Sequence, residues 1–171
     1  MSKIIAGKYK GRKIKISNLR NVRPTLAKVK KSIFQILEPF NDKKILDLYS
    51  GTGSIGLEFL SRGAREVVMV EKSRKLTSLL KQNISNIHIE DNYQIICNDV
   101  MRFLKINENK FDIIFADPPY DSIDFFKLKD SIDSSLVKNG TFCMEMNKQK
   151  INDLMIDIRV YGNSQVAIWT K

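Results

Sequence analysis

The sequence predicts an α/β fold: a mostly parallel seven-stranded sheet with helices on both faces, closed by an antiparallel hairpin at its carboxyl end and preceded by a basic hairpin-and-helix extension. Three observations carry that expectation. From Asp42 onward, apolar strand-like runs alternate with segments of helical period, which is the pattern of a doubly wound sheet. The last two strand-like runs flank Tyr161-Gly162-Asn163, a link too short for a parallel crossover, so they must pair antiparallel. And residues 1–31 hold eleven basic side chains and no acidic one, whereas the remaining 140 residues carry 18 basic and 19 acidic groups.

At the amino end, Lys3 to Ala6 and Lys13 to Ile16 read as short strands joined by a basic turn containing Gly7 and Gly11. Ser17 to Arg23 has no period. Pro24 and Thr25 then open a helix with apolar residues at Leu26, Val29, Ile33, Leu37 and Phe40, leaving Lys28, Lys31 and Gln35 on the other face. Residues 1–40 form the basic extension, and the 171 residues together form one domain. Codon bias toward Lys would spread the charge along the chain, so its confinement points to a polyanion-binding segment.

In the body, Ile45-Leu46-Asp47-Leu48 is a strand, Ser54 to Ser61 a short helix stopped at Arg62-Gly63, and Val67 to Glu71 a second strand. A helix begins at Ser73 and carries Leu76, Leu79, Leu80 and Ile84 on one face; Gln94 to Cys97 is a strand, and Val100 to Leu104 is helical. Phe111 to Ala116 is a strand ending at Asp117-Pro118-Pro119-Tyr120, followed by a helix over Ile123 to Leu136 and a strand from Gly140 to Met146. Cys97 and Cys143 sit in apolar runs and are expected as two buried free thiols of a reducing compartment. No apolar run approaches the roughly 18 residues of a membrane span, and Met1 to Gly7 lacks the apolar core of a secretory signal. The single histidine, His88, lies in a polar loop and is expected at the surface; nothing has metal-ligand spacing.

Gly51-Thr52-Gly53-Ser54-Ile55-Gly56 matches G-x-G-x-x-G between a strand and a helix, and Glu71 ends the next strand in place for a ribose diol. The loop amides, from Ser50 to Gly53, would meet an anionic group at the helix amino terminus. Asp47, four residues ahead of Gly51, is expected to point at the same crevice and would repel a pyrophosphate. S-Adenosylmethionine (SAM) suits it better, with an α-ammonium for Asp47 and a carboxylate for the amides. Asn98-Asp99-Val100, after the third strand, would accept from the adenine amine.

Asp117-Pro118-Pro119-Tyr120 ends a strand at the edge where open α/β sheets bind ligands, and its prolines make the turn rigid. The exocyclic amine of a nucleobase is a poor nucleophile because its lone pair is delocalised into the ring. The Asp117 side chain and Pro118 carbonyl could accept both amine protons, opposing that delocalisation, while Tyr120 stacks on the base. No strong base is needed, since the methylated amine loses its proton readily.

These residues resemble a family. Asp47-Leu48-Tyr49-Ser50-Gly51-Thr52-Gly53 followed by Asp117-Pro118-Pro119-Tyr120 is similar to Rossmann-like class I SAM-dependent amino-methyltransferases. Ile4-Ile5-Ala6-Gly7-Lys8-Tyr9-Lys10-Gly11-Arg12 with Arg23-Pro24-Thr25 narrows the resemblance to the RsmD family, bacterial enzymes that methylate the N2 amine of guanine 966 in small-subunit ribosomal RNA. It implies that Asp47, Gly51, Gly53, Glu71 and Asp99 hold SAM, and that Asp117, Pro118 and Tyr120 hold the guanine. It further implies that Lys8, Lys10, Arg12, Lys13, Arg23 and Thr25 lie along 16S ribosomal RNA, in a cytoplasmic monomer without a metal that acts on an assembling small subunit. Lys3, Tyr49, Lys30 and Lys31 depart from the common pattern. Two other readings stand beside it: an adenine-N6 or cytosine-N4 methyltransferase of DNA or RNA, since the Asp-Pro-Pro-Tyr corner serves any exocyclic amine, and a non-catalytic RNA-binding assembly factor, against which the intact Asp47, glycine loop and Asp117 argue.

Overall fold

The computed structural model describes residues 2–16, 27–119 and 123–171. Arg23, Thr25 and Tyr120, together with Pro24 and Leu26, lie outside the described residues. The elements run β1 (Ser2–Lys3), β2 (Lys13–Ile14), α1 (Ala27–Leu37), β3 (Lys44–Leu48), α2 (Gly56–Ser61), β4 (Glu66–Glu71), α3 (Arg74–Ile87), β5 (Tyr93–Cys97), α4 (Val100–Ile106), β6 (Phe111–Ala116), α5 (Phe125–Ile132), β7 (Leu136–Asn147), β8 (Ile156–Tyr161) and β9 (Ser164–Thr170). The large sheet has the order β5-β4-β3-β6-β7-β9-β8. Its first five strands are parallel, and β9 pairs antiparallel with both β7 and β8, as the short Gly162-Asn163 link requires.

The chain reverses its direction of travel across the sheet between β3 and β6, which are direct neighbours: Leu48 pairs with Ala116. That reversal opens a crevice at the carboxyl ends of these two strands, where the glycine loop and the Asp117 turn emerge. β3, β4 and β6 are buried on both faces, which is why they read as largely apolar runs, whereas β5 and β8 at the sheet edges are partly exposed. Ile45, Met69, Ile113 and Cys143 face the layer built by α1, α2, α3 and the amino-terminal hairpin. Leu46, Val68, Ile114 and Met144 face α4 and α5.

Several boundaries differ from expectation. The hairpin strands are only two residues each because the Ile5 and Ala6 amides leave the ladder and donate to the Glu58 carboxylate, at 2.7 and 2.9 Å. α1 ends at Leu37, before Glu38-Pro39, and Phe40 is buried beyond the helix. α2 starts at Gly56 rather than Ser54, because Gly51 and Gly53 take positive φ in the loop ahead of it. The expected helix to Leu136 stops at Ile132; a 3₁₀ turn, Asp133–Ser135, follows, and Leu136 pairs with Phe111 as the first residue of a long irregular β7. Cys143 is buried and free as expected, but Cys97 is exposed because β5 is an edge strand. His88 is exposed and ends α3 in a left-handed conformation. Among the described residues, no helix is long and apolar enough to cross a membrane.

Candidate active site and nucleic-acid interface

The glycine loop is held from below. Ser50 donates its hydroxyl to the Asp47 carbonyl at 2.6 Å and its amide to the Val70 carbonyl at 3.0 Å, while the Gly53 amide returns to the Ser50 carbonyl at 2.8 Å. Two glycines meet different demands. Gly53 has φ +86°, and a Cβ there would lie 2.2 Å from a Leu80 methyl. Gly56 lies against β4, where a Cβ would be 2.5 Å from Met69 Sδ and 2.9 Å from Asp47 Oδ2, so it sets how closely α2 approaches the sheet. Gly51 is different: space around it is open, which leaves its side of the loop accessible to a ligand. Thr52 and Gly53 are buried beneath it.

Asp47 occupies a core position on β3, 1% exposed, and its Oδ2 accepts from the Gly56 amide at 3.0 Å. The sequence pattern points this carboxylate into the open crevice; it lies under the loop instead, bonded to the start of α2. Burial pushes its pKa up to about 7, against the pull of hydrogen bonds from Ser50 and the Gly56 amide, and the nearby Glu71 charge pushes it further the same way. Glu71 is also buried. Its Oε2 accepts from the Gly51 amide at 3.0 Å and its Oε1 from the Ser73 amide at 2.7 Å, so the acid expected on a ribose already clasps the glycine loop across the crevice.

Asp99 is exposed beyond the end of β5, but one of its oxygens caps α4, accepting from the Met101 and Arg102 amides at 3.1 Å each. Asn98 turns its own amide oxygen onto the Asp99 amide at 2.8 Å. The Val100 side chain is core. Tyr49 takes a positive φ of 59° just ahead of the loop, and burial, with Asp99 adding, pushes its phenol up to about 12.

On the far side of the crevice the Asp117 amide approaches the Leu48 carbonyl at 3.4 Å, tying the two loops together at their roots. Asp117 is partly buried, Pro118 is buried and Pro119 exposed. The two prolines line a cleft of about 260 Å³, whose opposite wall is Met144, Met146, Asn147 and Gln149 at and beyond the end of β7. Gln149 is held there by its amide, which donates to Gln165 Oε1 at 3.1 Å. Sequence reasoning stops at the Asp-Pro-Pro-Tyr turn and misses this wall, although β7 is the strand next to β6 in any sheet of this order. Among the described residues, no three His, Cys, Asp or Glu side chains group as metal ligands.

The basic extension is docked on this frame. Ile4, Tyr9 and Ile14 are buried, while Lys3, Lys8, Lys10, Arg12, Lys13 and Lys15 are exposed. The Lys8 amide donates to the Ser61 carbonyl at 2.7 Å, and the Tyr9 hydroxyl reaches Asp91 at 2.5 Å. Lys8 itself lies 3.6 Å from Asp91, so part of its charge is already matched. Among the described residues, no ion pair involves Lys10, Arg12 or Lys13. Lys30, unlike the hairpin cations, is turned inward. It is 2% exposed, with Nζ 2.7 Å from the Ser54 carbonyl and 3.1 Å from Glu58, a buried acid on α2. The phase of α1 could have shown this, since Lys30 lies three, four and seven residues before Ile33, Phe34 and Leu37, all on the buried face.

A parallel sheet with this strand order, an antiparallel terminal strand pair and a glycine loop opposite an Asp-Pro-Pro turn define the class I methyltransferase fold. The family described as Conserved hypothetical protein 95 matches residues 2–170, and the chain belongs to it: this is the RsmD family its motifs resemble. The chain is similar to Ribosomal RNA small subunit methyltransferase D of Buchnera aphidicola subsp. Acyrthosiphon pisum, 39% identical over 119 residues that span 68% of this chain and 62% of that relative. It is similar along nearly its whole length to YlbH of Bacillus subtilis, at 33% identity with 99% of this chain and 98% of the relative covered. Among solved structures, the hypothetical protein TTHA0928 of Thermus thermophilus superimposes with a TM-score of 0.86 at 26% identity, covering 99% of each chain.

Proposed function

We propose that this protein methylates the exocyclic N2 amine of a guanine in 16S ribosomal RNA, using SAM, on a small ribosomal subunit during its assembly in the cytoplasm, and that it acts as a monomeric single domain. The observation that carries this reading is the adjacency of two loops at the carboxyl ends of β3 and β6, joined by the Asp117 amide and the Leu48 carbonyl.

The residues fit SAM better than a dinucleotide. A buried Asp47 beneath the loop, with Glu71 across from Gly51, makes the crevice unfavourable for a pyrophosphate and favourable for a ligand bearing an ammonium. Asp47 would hold that ammonium electrostatically, Glu71 the ribose, and Asn98, Asp99 and Val100 the adenine. The Ser50 to Gly53 loop would be the wall the ligand lies against rather than the expected row of free donors, since the Ser50, Gly51 and Gly53 amides are already bonded within the protein. Bound SAM supplies a methyl group on a positively charged sulfur. The Asp117 carboxylate and Pro118 carbonyl accept the two amine protons of the guanine and aim its nitrogen. Pro119 and the wall of Met144 and Met146 exclude water from the base, and Tyr120, as the sequence motif implies, would stack on it. The methylated amine is cationic and releases its proton to solvent, so rate enhancement comes from positioning and a matched electrostatic environment. Lys8, Lys10, Arg12, Lys13, Arg23 and Thr25 lie along the RNA backbone.

The test is incubation with labelled SAM and small-subunit particles from a strain lacking the enzyme, followed by mapping of the labelled nucleotide. A single N2-methylguanine in 16S RNA is expected. Label on adenine N6 or cytosine N4, or no label while the protein still binds the particle, would replace this reading with one of its rivals.

A further inference from the structure

The amino-terminal extension does not end at its own hairpin; it supports the glycine loop at two separate points. From α3, Asn83 accepts from the Lys15 amide at 2.9 Å, and its amide nitrogen donates to the Lys15 carbonyl and the Thr52 carbonyl, both at 3.0 Å. One buried side chain thus bridges the chain just past β2 to the loop. From α1, the Lys30 ammonium donates to the Ser54 carbonyl at 2.7 Å and lies 3.3 Å from the Ser54 hydroxyl. Glu58, which receives Lys30, also receives the Ile5 and Ala6 amides. Every residue from Thr52 to Glu58 that the extension touches this way belongs to the loop or to the helix it opens.

We propose that Asn83 and Lys30 are positioning residues that couple the two ligands: with the extension docked, the loop is shaped for SAM, so RNA on the basic face and SAM in the crevice each tighten the other's binding. The inference rests on the functional reading above. The physical argument is linkage. RNA that binds the docked extension stabilises the docked state, and the docked state is the one in which the Thr52 and Ser54 carbonyls are held. The effect on the two affinities must then be the same factor.

The experiment is calorimetric titration of S-adenosylhomocysteine into the wild type, Asn83→Ala and Lys30→Met, each with and without a saturating 16S RNA transcript, beside RNA titrations with and without S-adenosylhomocysteine. In the wild type, RNA is expected to tighten S-adenosylhomocysteine binding by about fivefold or more, and the reciprocal titration to give an equal factor. In both variants that factor falls toward one, while affinity for RNA alone stays within about twofold of wild type. A residue that merely stabilises the fold would not abolish the linkage in a protein that is still folded by circular dichroism. If a variant does not fold, the wild-type cycle alone decides, because equal affinities with and without RNA overturn the coupling. Wild type that binds no S-adenosylhomocysteine overturns the functional reading and the coupling with it, whereas binding without linkage overturns the coupling only.

Discussion

Lys30 Nζ and Glu58 Oε2 lie 3.1 Å apart, with side chains 3% and 0% exposed, and this ion pair joins α1 to the helix that follows the glycine loop. Burial lowers the Lys30 pKa, and the Glu58 charge opposes that shift. Glu58 is a hub for donors alone: the Ile5 and Ala6 amides, Lys30, and Arg62 Nε at 2.9 Å. Glutamine offers one acceptor oxygen and turns an NH₂ toward that crowd. Glu58→Gln is expected to cost about 3–5 kcal/mol of stability, measured by urea unfolding. The exposed Asp157–Arg159 pair is the control, and Asp157→Ala is expected to cost less than about 1 kcal/mol.

Asp47 sets a pH dependence whose direction follows from its raised pKa. Between its ordinary value of 3.8 and its buried value of about 7, the folded protein holds a proton that the unfolded chain has released. Stability therefore falls as pH rises through that window and stays lower above it. Asp47→Asn keeps an acceptor for the Gly56 amide and removes the charge. At pH 8 the variant should be more stable than wild type by roughly 2–4 kcal/mol, with the gap closing below pH 4, as read by thermal melts.

A bound ammonium favours the ionised form of the same group. Affinity for S-adenosylhomocysteine should accordingly rise as pH increases from 6 through about 7, and this rise should vanish in Asp47→Asn. A flat affinity profile in the wild type would remove Asp47 from any role toward the ligand's charge.

Asp117 is expected to separate chemistry from cofactor binding, because it stands across the crevice from the glycine loop. Asp117→Ala should lower methyl transfer by roughly 10²-fold or more while S-adenosylhomocysteine affinity stays within a few-fold. Single-turnover transfer and calorimetry on the same preparation check both halves, and near-full activity would remove the turn from the mechanism.

Much of the frame is legible in the sequence because its signals are local. β6 can be read to the residue from an apolar run, interrupted only by Asp112 and stopped by Asp117-Pro118, and the terminal hairpin from the length of its link. What cannot be read depends on partners distant in the chain. Asn83 serves Lys15, 68 residues away; the period of α3 puts it on the buried face, three residues after Leu80 and four before Ile87, but nothing local names its partner. Lys30 stands in phase with Ile33 and Leu37, off the face of Lys28 and Lys31, but its acid, Glu58, lies 28 residues on, inside a helix whose residues are all buried. Cys97 looks like core because its neighbours are apolar, and only the strand order puts β5 at an edge. At the site itself, residue types predict chemistry, but the direction of Asp47 is decided by Gly56, whose missing side chain leaves room for both Met69 and that carboxylate.

The charge arithmetic of the extension can be tested against its geometry. Of the four hairpin cations assigned to RNA, Lys8 already faces Asp91 at 3.6 Å, whereas Lys10, Arg12 and Lys13 are exposed without an ion pair among the described residues. Each phosphate that is no longer neutralised should reduce the slope of log affinity against log salt by about 0.7 for single-stranded RNA. Neutralising Lys10, Arg12 and Lys13 together should therefore lower the slope by about 2, and adding Lys8→Gln should change it by less than any one of the three. Filter binding to a 16S transcript over a salt series reads the slope directly. An equal contribution from Lys8 would mean that RNA displaces Asp91, and an unchanged slope in the triple variant would take the hairpin off the RNA. Because the buried Ile4, Tyr9 and Ile14 are untouched, these substitutions at exposed positions leave the fold in place, so a loss of slope reports charge rather than unfolding.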